Sequence, residues 1–242
     1  MGQSIGKELS PLMCAILKGR TEAAILLLDL GADVNKRTWF FTPMMAAINT
    51  RNSELVIEFA RRGAILEGYG RSSLLENLCD LSMEAIEEVL GLYPEFVDSD
   101  FLLIAARNSK LSVVKLLLKL GAKTPPDILH KVCSVGDRNV ITFFLDMGFD
   151  INGRDSKGNC PIHKVTNGGM AFSNIEFLHS VGADINAKNR CGMIPLHLFA
   201  DNKSVREFLI KNGADENVKD DYGRKYWSYT TVGNLIYWAM RK

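Results

Sequence analysis

The sequence predicts an all-α protein in which short helix pairs recur along the chain. Segments beginning at Ser10 and Thr42 align with an offset of 32 residues, and later segments fit the same frame. Several segments start with a short polar or apolar residue followed by proline, and most end in glycine. Self-similarity with a period of ~20–50 residues is typical of stacked repeat architectures.

The start of each segment is explained by helix capping. Ser10 and Thr42 each precede a proline, so a hydroxyl can cap the helix while proline takes its first position. Two apolar-periodic helices then follow within each segment. Both are shorter than the ~12–15 residues at which an isolated helix becomes marginally stable, so stacking on neighbours must supply the core.

The end of each segment is set by glycine, as at Gly31 and Gly121, which suits the left-handed position after a helix. The segment from Ser73 is degenerate, because Pro94 stands where the others have glycine. We predict a single domain over residues 1–242, with a C-terminal cap at 224–242. Its units are predicted to start near residues 10, 42, 73, 100, 127, 160 and 194.

Two short motifs carry a family resemblance. Cys160-Pro-Ile-His163 and Ile194-Pro-Leu-His197, together with the recurring GADVN, GADIN and GADEN steps, resemble the ankyrin repeat and its T-P-L-H signature. The resemblance extends from Ser10 to about Met240. It implies an ankyrin-repeat solenoid of about seven helix–turn–helix units with β-hairpin fingers and a C-terminal capping helix. It also implies that the motif histidines bind neighbouring backbone.

The resemblance further implies a non-enzymatic module that binds another protein through its concave surface of fingers and first helices. Aromatic and arginine side chains dominate the energetics of such interfaces, which draws attention to the finger at 36–41. Phe41 is expected to pack against the next finger. The partner-binding residues that we predict are Lys36, Arg37, Trp39, Phe40, Tyr69, Arg71, Arg107, Asn108, Arg154 and Lys157.

The C-terminal aromatic residues are expected to form a mostly buried cap over the last repeat. Terminal repeats need a polar outer face, and rings with a polar tip suit that position. The residues concerned are Tyr222, Tyr226, Trp227, Tyr229, Tyr237 and Trp238.

Composition narrows the classes of partner. The net charge of the 242-residue chain is +1, which gives no overall field toward nucleic acid, and no apolar run reaches the ~18–20 residues of a membrane span. Five cysteines without a C-x-x-C pair are typical of a reducing compartment. We therefore expect a cytoplasmic monomer with no cofactor, no nucleic-acid partner and no membrane span.

The sequence predicts neither a metal site nor a catalytic site. Cys160 with His163, and Cys191 with His197, have ligand-type side chains, but zinc needs about four ligands around one centre. We expect these histidines to be structural and the protein to hold no metal. No phosphate-binding loop, nucleophile elbow or metalloprotease motif occurs, so no enzyme is predicted.

The sequence is compatible with two biological settings for a protein-binding module. The protein is either an adaptor inside its own cell or a small bacterial or viral ankyrin effector or immunity protein that blocks a target protein. An effector would act in the host cytoplasm.

Asn35 and Asn186, each with leucine eight residues upstream, also resemble substrates of the asparaginyl hydroxylase of oxygen sensing. The alternative is that their amides fix the turn.

Overall fold

A computed structural model describes residues 9–38, 41–66, 70–134 and 137–230 of the chain. Helices in these ranges follow one another in antiparallel pairs, and no β-strand occurs among the described residues. The all-α class is therefore confirmed. The chain separates into two compact units, Met1–Thr124 and Pro125–Lys242. A single continuous domain stays a prediction.

Unit 1 contains helices joined pairwise by short turns, and the helices of each pair pack on those of the next pair. A 3₁₀ turn, Pro94–Phe96, precedes the last pair. The helices are α1 (Pro11–Leu17), α2 (Thr21–Asp29), α3 (Pro43–Asn49), α4 (Ser53–Arg61), α5 (Arg71–Leu78), α6 (Met83–Leu92), α7 (Ser99–Arg107) and α8 (Leu111–Lys119).

Unit 2 repeats the arrangement with shorter first helices, one of which is only a 3₁₀ turn. The elements are α9 (Ile128–Val132), α10 (Arg138–Asp146), the 3₁₀ turn Pro161–Lys164, α11 (Ala171–Ser180), α12 (Pro195–Leu198), α13 (Lys203–Lys211) and the 3₁₀ turn Tyr226–Tyr229.

Helix boundaries follow the capping chemistry of the sequence. Ser10 Oγ accepts the amide of Met13 at 3.2 Å, and Thr42 Oγ1 accepts that of Met45 at 3.2 Å. Both residues have extended backbone, and proline follows each as the first helical residue. The predicted hydroxyl caps are therefore confirmed, and each satisfies an amide that the helix leaves without a partner.

The second helix of a pair ends in a left-handed glycine. At Gly121, φ is +95°, a region where a side chain would be strained. The amide of Gly121 donates to Leu118 O at 3.0 Å, and that of Ala122 donates to Leu117 O at 2.9 Å. These bonds satisfy the last carbonyls of α8 and direct the chain into the following loop.

The degenerate segment still forms a helix pair, α5 and α6, because its apolar spacing is intact. Leu75, Ile86 and Val89 are at most 1% exposed. Pro94 replaces the terminal glycine and begins the 3₁₀ turn. The hydroxyl of Tyr93 donates to Ala64 O, so the end of α6 is tied to the preceding repeat.

Each unit has its own aromatic core. Phe59 and Phe101 are completely buried in unit 1, and Phe144 is completely buried in unit 2. None of the helices in the four described ranges has both the length and the apolar character that crossing a bilayer would require.

Candidate partner-binding surface

Loops that follow the second helices form the fingers, at residues 35–42 in unit 1 and at 152–160, 186–194 and 217–225 in unit 2. Each finger of unit 2 is closed by two backbone bonds; in the last finger, Asp220 N donates to Arg224 O and Gly223 N donates to Asp220 O, both at 2.9 Å. Among their described residues, which leave out 39 and 40, these loops contain no strand, so the prediction that they are β-hairpins is not confirmed.

In each finger of unit 2, one polar side chain accepts hydrogen bonds from two backbone amides of its own turn. The Asp155 carboxylate accepts the amides of Lys157 and Asn159, both at 2.8 Å. Asn189 and Asp220 hold the equivalent amides of their own fingers at 2.8 to 3.0 Å. Such side-chain-to-backbone bonds make the turn independent of strand pairing.

Neighbouring fingers of unit 2 touch backbone to backbone. The amide of Arg190 donates to Lys157 O at 3.0 Å, and the amide of Asp221 donates to Cys191 O at 3.0 Å. A Cβ atom on Gly192 would lie 3.0 Å from Asp221 N and 2.6 Å from its Oδ1. Glycine at this position therefore permits the close approach of the next finger.

Asparagine side chains connect each finger to the next repeat. Asn152 donates from Nδ2 to Gly182 O at 3.0 Å, and its Oδ1 accepts the amide of Asp184 at 2.8 Å. Asn35 and Asn186 make the corresponding pair of bonds. The amides are therefore structural, but they connect successive repeats and do not fix the turn of their own finger as the sequence predicts.

Motif histidines act as a second set of connectors. Nδ1 of His163 accepts the amide of Cys160 at 3.2 Å, while Nε2 lies 3.2 Å from Met193 O in the next finger. His197 makes the same two contacts one repeat later. His130 places Nε2 against Gly153 O and Asn159 O. The predicted backbone role is confirmed, and for His163 and His197 the pattern assigns the neutral ring with the proton on Nε2.

Burial lowers the pKa of His163 and of His197, partly offset by bonds to backbone carbonyls. The unfolded chain protonates histidine near pH ~6.5, whereas the folded protein does so only at lower pH. Below about pH 6.5 the unfolded state therefore binds more protons. We expect the free energy of unfolding, measured by denaturant titration, to fall between about pH 7.5 and about pH 5.5.

The matched variant for this pH prediction is His163→Gln/His197→Gln, because glutamine keeps one donor and one acceptor but does not titrate. The loss of stability between the same two pH values should be smaller in the variant. Equal losses in both proteins would contradict the assignment of the pH dependence to these histidines.

The last finger is fixed by a buried carboxylate. The Asp220 side chain is fully buried, and Arg224 donates to its Oδ2 from Nε and Nη2, each at 2.8 Å. The hydroxyl of Tyr229 donates to the same oxygen. Burial alone would raise the pKa of Asp220, but the bonds from Tyr229 and Arg224 outweigh it and lower the pKa to about 2. The group is thus a permanently charged structural anchor.

Several predicted partner-binding residues lie exposed near fingers or at helix ends. Lys36 and Arg37 are exposed in the first finger, Lys157 is exposed at a fingertip, and Arg107 and Asn108 are exposed at the end of α7. Binding by these residues stays a prediction. Trp39, Phe40 and Tyr69 lie outside the described residues.

Two predicted partner-binding arginines make internal contacts. Arg71 is not a finger residue: it begins α5, forms an ion pair with Asp98 and lies 4.9 Å from the ring centre of Phe96. Arg154 donates to Gly158 O at 3.0 Å and also to Lys188 O in the next finger. Both arginines hold the structure together, although Arg154 remains exposed.

Expectations for the aromatic residues need correction. Phe41 is 42% exposed, so it is not the packing residue that the sequence suggested. In the C-terminal group, Tyr222 is 75% and Trp227 is 51% exposed, while Tyr226 and Tyr229 are half-buried, so the mostly buried cap stays a prediction. Tyr222 occupies the same fingertip position as Lys157, which explains its exposure. Tyr237 and Trp238 lie outside the described residues.

Sequence reasoning missed three exposed cations on unit 2: Lys188, Arg190 and Lys219. Lys188 and Lys219 directly precede the turn-fixing Asn189 and Asp220, as Arg154 precedes Asp155. Comparing equivalent positions of successive fingers would have revealed this repetition.

Ligand-type side chains of the described residues do not cluster. Within the described ranges, no group of three or more histidine, cysteine, aspartate or glutamate residues is placed to hold a metal ion. The thiol of Cys160 instead donates to Asn152 O at 3.3 Å, and Cys191 is exposed.

Paired helices and stacked fingers define a helical repeat protein, and comparison with family models specifies it. A model of ankyrin repeats in three copies matches residues 102–189, and a single ankyrin-repeat model matches 7–39 and 191–221. Since these matches cover more than half of the chain, the protein belongs to the ankyrin-repeat family. Ankyrin repeats are in general protein–protein interaction modules and typically not enzymes. A search of curated proteins found no match.

Proposed function

We propose that the protein is a non-enzymatic binding module that holds a partner protein against its fingers and the adjoining first helices. One observation carries the proposal: finger backbones are fixed by neighbouring repeats, while side chains at the tips point away from the core. Lys157 shows this division, because its amide and carbonyl are bonded within the stack and its side chain is exposed.

Rigid fingers favour binding for an entropic reason. A loop that is already ordered loses little conformational freedom when a partner docks, so more of the contact energy appears as affinity. In unit 2, the turn-fixing Asp155, the connectors Asn152 and His163, and direct bonds between fingers all supply this order.

We also propose that the module acts as a monomer in a cytoplasm. All five cysteines are free, which suits a reducing compartment. An adaptor and an effector or immunity protein would both use the same fingers, since either has to hold a protein partner.

A site-specific photocrosslinker tests the proposed surface. It would replace Ser156 or Lys36, both exposed on fingers, and, as matched controls, Glu207 or Glu87, both exposed on second helices. Irradiation in the native cell should give a protein adduct from the finger positions alone. Adducts from the second-helix positions without any from the fingers would contradict the proposal.

A further inference from the structure

The fingers of unit 2 carry a row of exposed cations, formed by Arg154, Lys157, Lys188, Arg190 and Lys219 and called here the cation row. Arg154, Lys188 and Lys219 occupy one equivalent position in three successive fingers. Lys157 and Arg190 lie nearer the tips. The repetition places positive charge on each finger of the unit.

Backbone bonds place these cations on adjacent loops. Arg190 N donates to Lys157 O at 3.0 Å, and Arg154 donates to Lys188 O, so the first two fingers are in direct contact. The third finger contacts the second, because the amide of Asp221 donates to Cys191 O at 3.0 Å. The cation row is therefore one continuous feature of unit 2.

Two carboxylates within the fingers, Asp155 and Asp220, are already paired with other cations. Asp155 is 12% exposed, accepts two amides and pairs with Lys164 at 2.8 Å, while the Asp220 side chain is fully buried against Arg224. Asp150, Asp184 and Asp215, where the second helices lead into the fingers, each accept an amide at 2.8 Å. Asp221 is the exposed carboxylate of the fingers and lies against Gly192.

Unit 1 shows the contrast. Several of its surface cations form ion pairs, such as Arg51 and Lys110 with Asp80 at 2.7 Å and Arg61 with Glu88 at 2.9 Å. In the described part of unit 2, Lys157, Lys188, Arg190 and Lys219 form no ion pair. These four cations of the cation row therefore lack the carboxylate partners that Arg51, Arg61 and Lys110 have.

We propose that the cation row receives an acidic segment of the partner protein, with aspartate or glutamate side chains facing the fingers. This inference rests on the proposed function and names the chemistry of its partner. Like charges on adjacent loops repel within the screening distance of ~8 Å, and partner carboxylates would relieve that repulsion. Complementary charge also accelerates association and selects among partners.

A protein partner fits the surroundings better than a nucleic acid. Tyr222 and Trp227 are exposed at the end of the stack and offer apolar contact area of the kind that protein interfaces use. The exposed Asp221 would repel a continuous phosphate backbone, whereas a peptide can place a neutral or basic residue against it. A net charge of +1 gives no long-range attraction for a polyanion.

Fluorescence anisotropy with a labelled oligoglutamate peptide tests the inference, and a labelled oligo-dT strand of equal charge serves as the competing probe. The test variant is Lys157→Glu/Arg190→Glu. The control is Lys203→Glu/Lys211→Glu, which makes the same change in net charge on α13. Melting curves of both variants establish folding, and Lys157→Glu alone serves if Arg190→Glu disturbs its finger.

The account expects the finger variant to bind the peptide at least about tenfold more weakly, with the control unchanged. Equal weakening of both variants, no peptide binding by the native protein, or tighter binding of oligo-dT would overturn it. If finger crosslinks identify a partner whose contacting segment is neutral or basic, the acidic-partner inference falls and the proposed function stands. If no finger position gives a crosslinked adduct, that result would instead count against the proposed function.

Discussion

Phe144→Ala is expected to lower the free energy of unfolding by roughly 3–5 kcal/mol. The Phe144 side chain is completely buried on α10, and its ring makes edge contacts with Phe143 and Phe149 at centroid distances of 5.6 and 5.7 Å. Removing it leaves a cavity that α9 and α10 can close only in part, so lost burial and lost packing both contribute. Denaturant unfolding followed by circular dichroism gives the value.

The control for Phe144→Ala is Met147→Ala, three residues further along the same segment. Met147 caps α10 and is 47% exposed, so its loss should change the unfolding free energy by no more than about 0.5 kcal/mol. Hydrogen exchange would show which amides lose protection, because repeat proteins can unfold locally. A cost below about 1 kcal/mol for Phe144→Ala would mean that this core is not as tightly packed as described.

Asp220→Ala should be the most damaging substitution in a finger, with a cost of roughly 2–4 kcal/mol. The change removes the acceptor of two backbone amides and leaves Arg224 and Tyr229 without their shared partner. Arg224 is 30% exposed, so water recovers part of the loss. The same denaturant titration measures the effect.

Two milder substitutions in the same finger serve as controls for Asp220→Ala. Asn189 stands at the equivalent position and holds its two amides without a charge, so Asp220→Asn should keep the turn and cost less than Asp220→Ala. The exposed Asp221→Ala should be nearly neutral for stability. Equal costs for Asp220→Ala and Asp221→Ala would refute the anchoring role of the buried carboxylate.

Local chemistry made much of the fold predictable. Ser10 and Thr42 each combine a capping hydroxyl with a following proline, so the starts of two helices are visible in the sequence. Gly121 marks the end of a helix, because few other residues adopt the left-handed backbone conformation found there. The role of His163 is also predictable, because its motif recurs at one place in successive repeats.

The candidate surface was harder to predict, because exposure depends on contacts between repeats. Arg71 seemed to be a finger residue, yet α5 begins there and Asp98 and Phe96 engage its guanidinium. The capping argument places Tyr222 in the C-terminal cap, but its fingertip position leaves the side chain exposed. Lys188 escaped notice because a lysine is unremarkable until the fingers are compared with one another.

The central claim is that fingertip side chains bind the partner without contributing much to the fold, while polar side chains within the fingers hold the repeats together, and Trp39→Ala tests it most directly. The affinity of the crosslinked partner and the unfolding free energy would be measured on the same preparation, with Leu28→Ala, which truncates a residue only 6% exposed, as the control. Trp39→Ala should weaken binding about thirtyfold, or ~2 kcal/mol, and change stability by at most about 0.5 kcal/mol. Leu28→Ala should cost ~2–5 kcal/mol of stability. Unchanged affinity together with a loss of stability like that of Leu28→Ala would contradict the account.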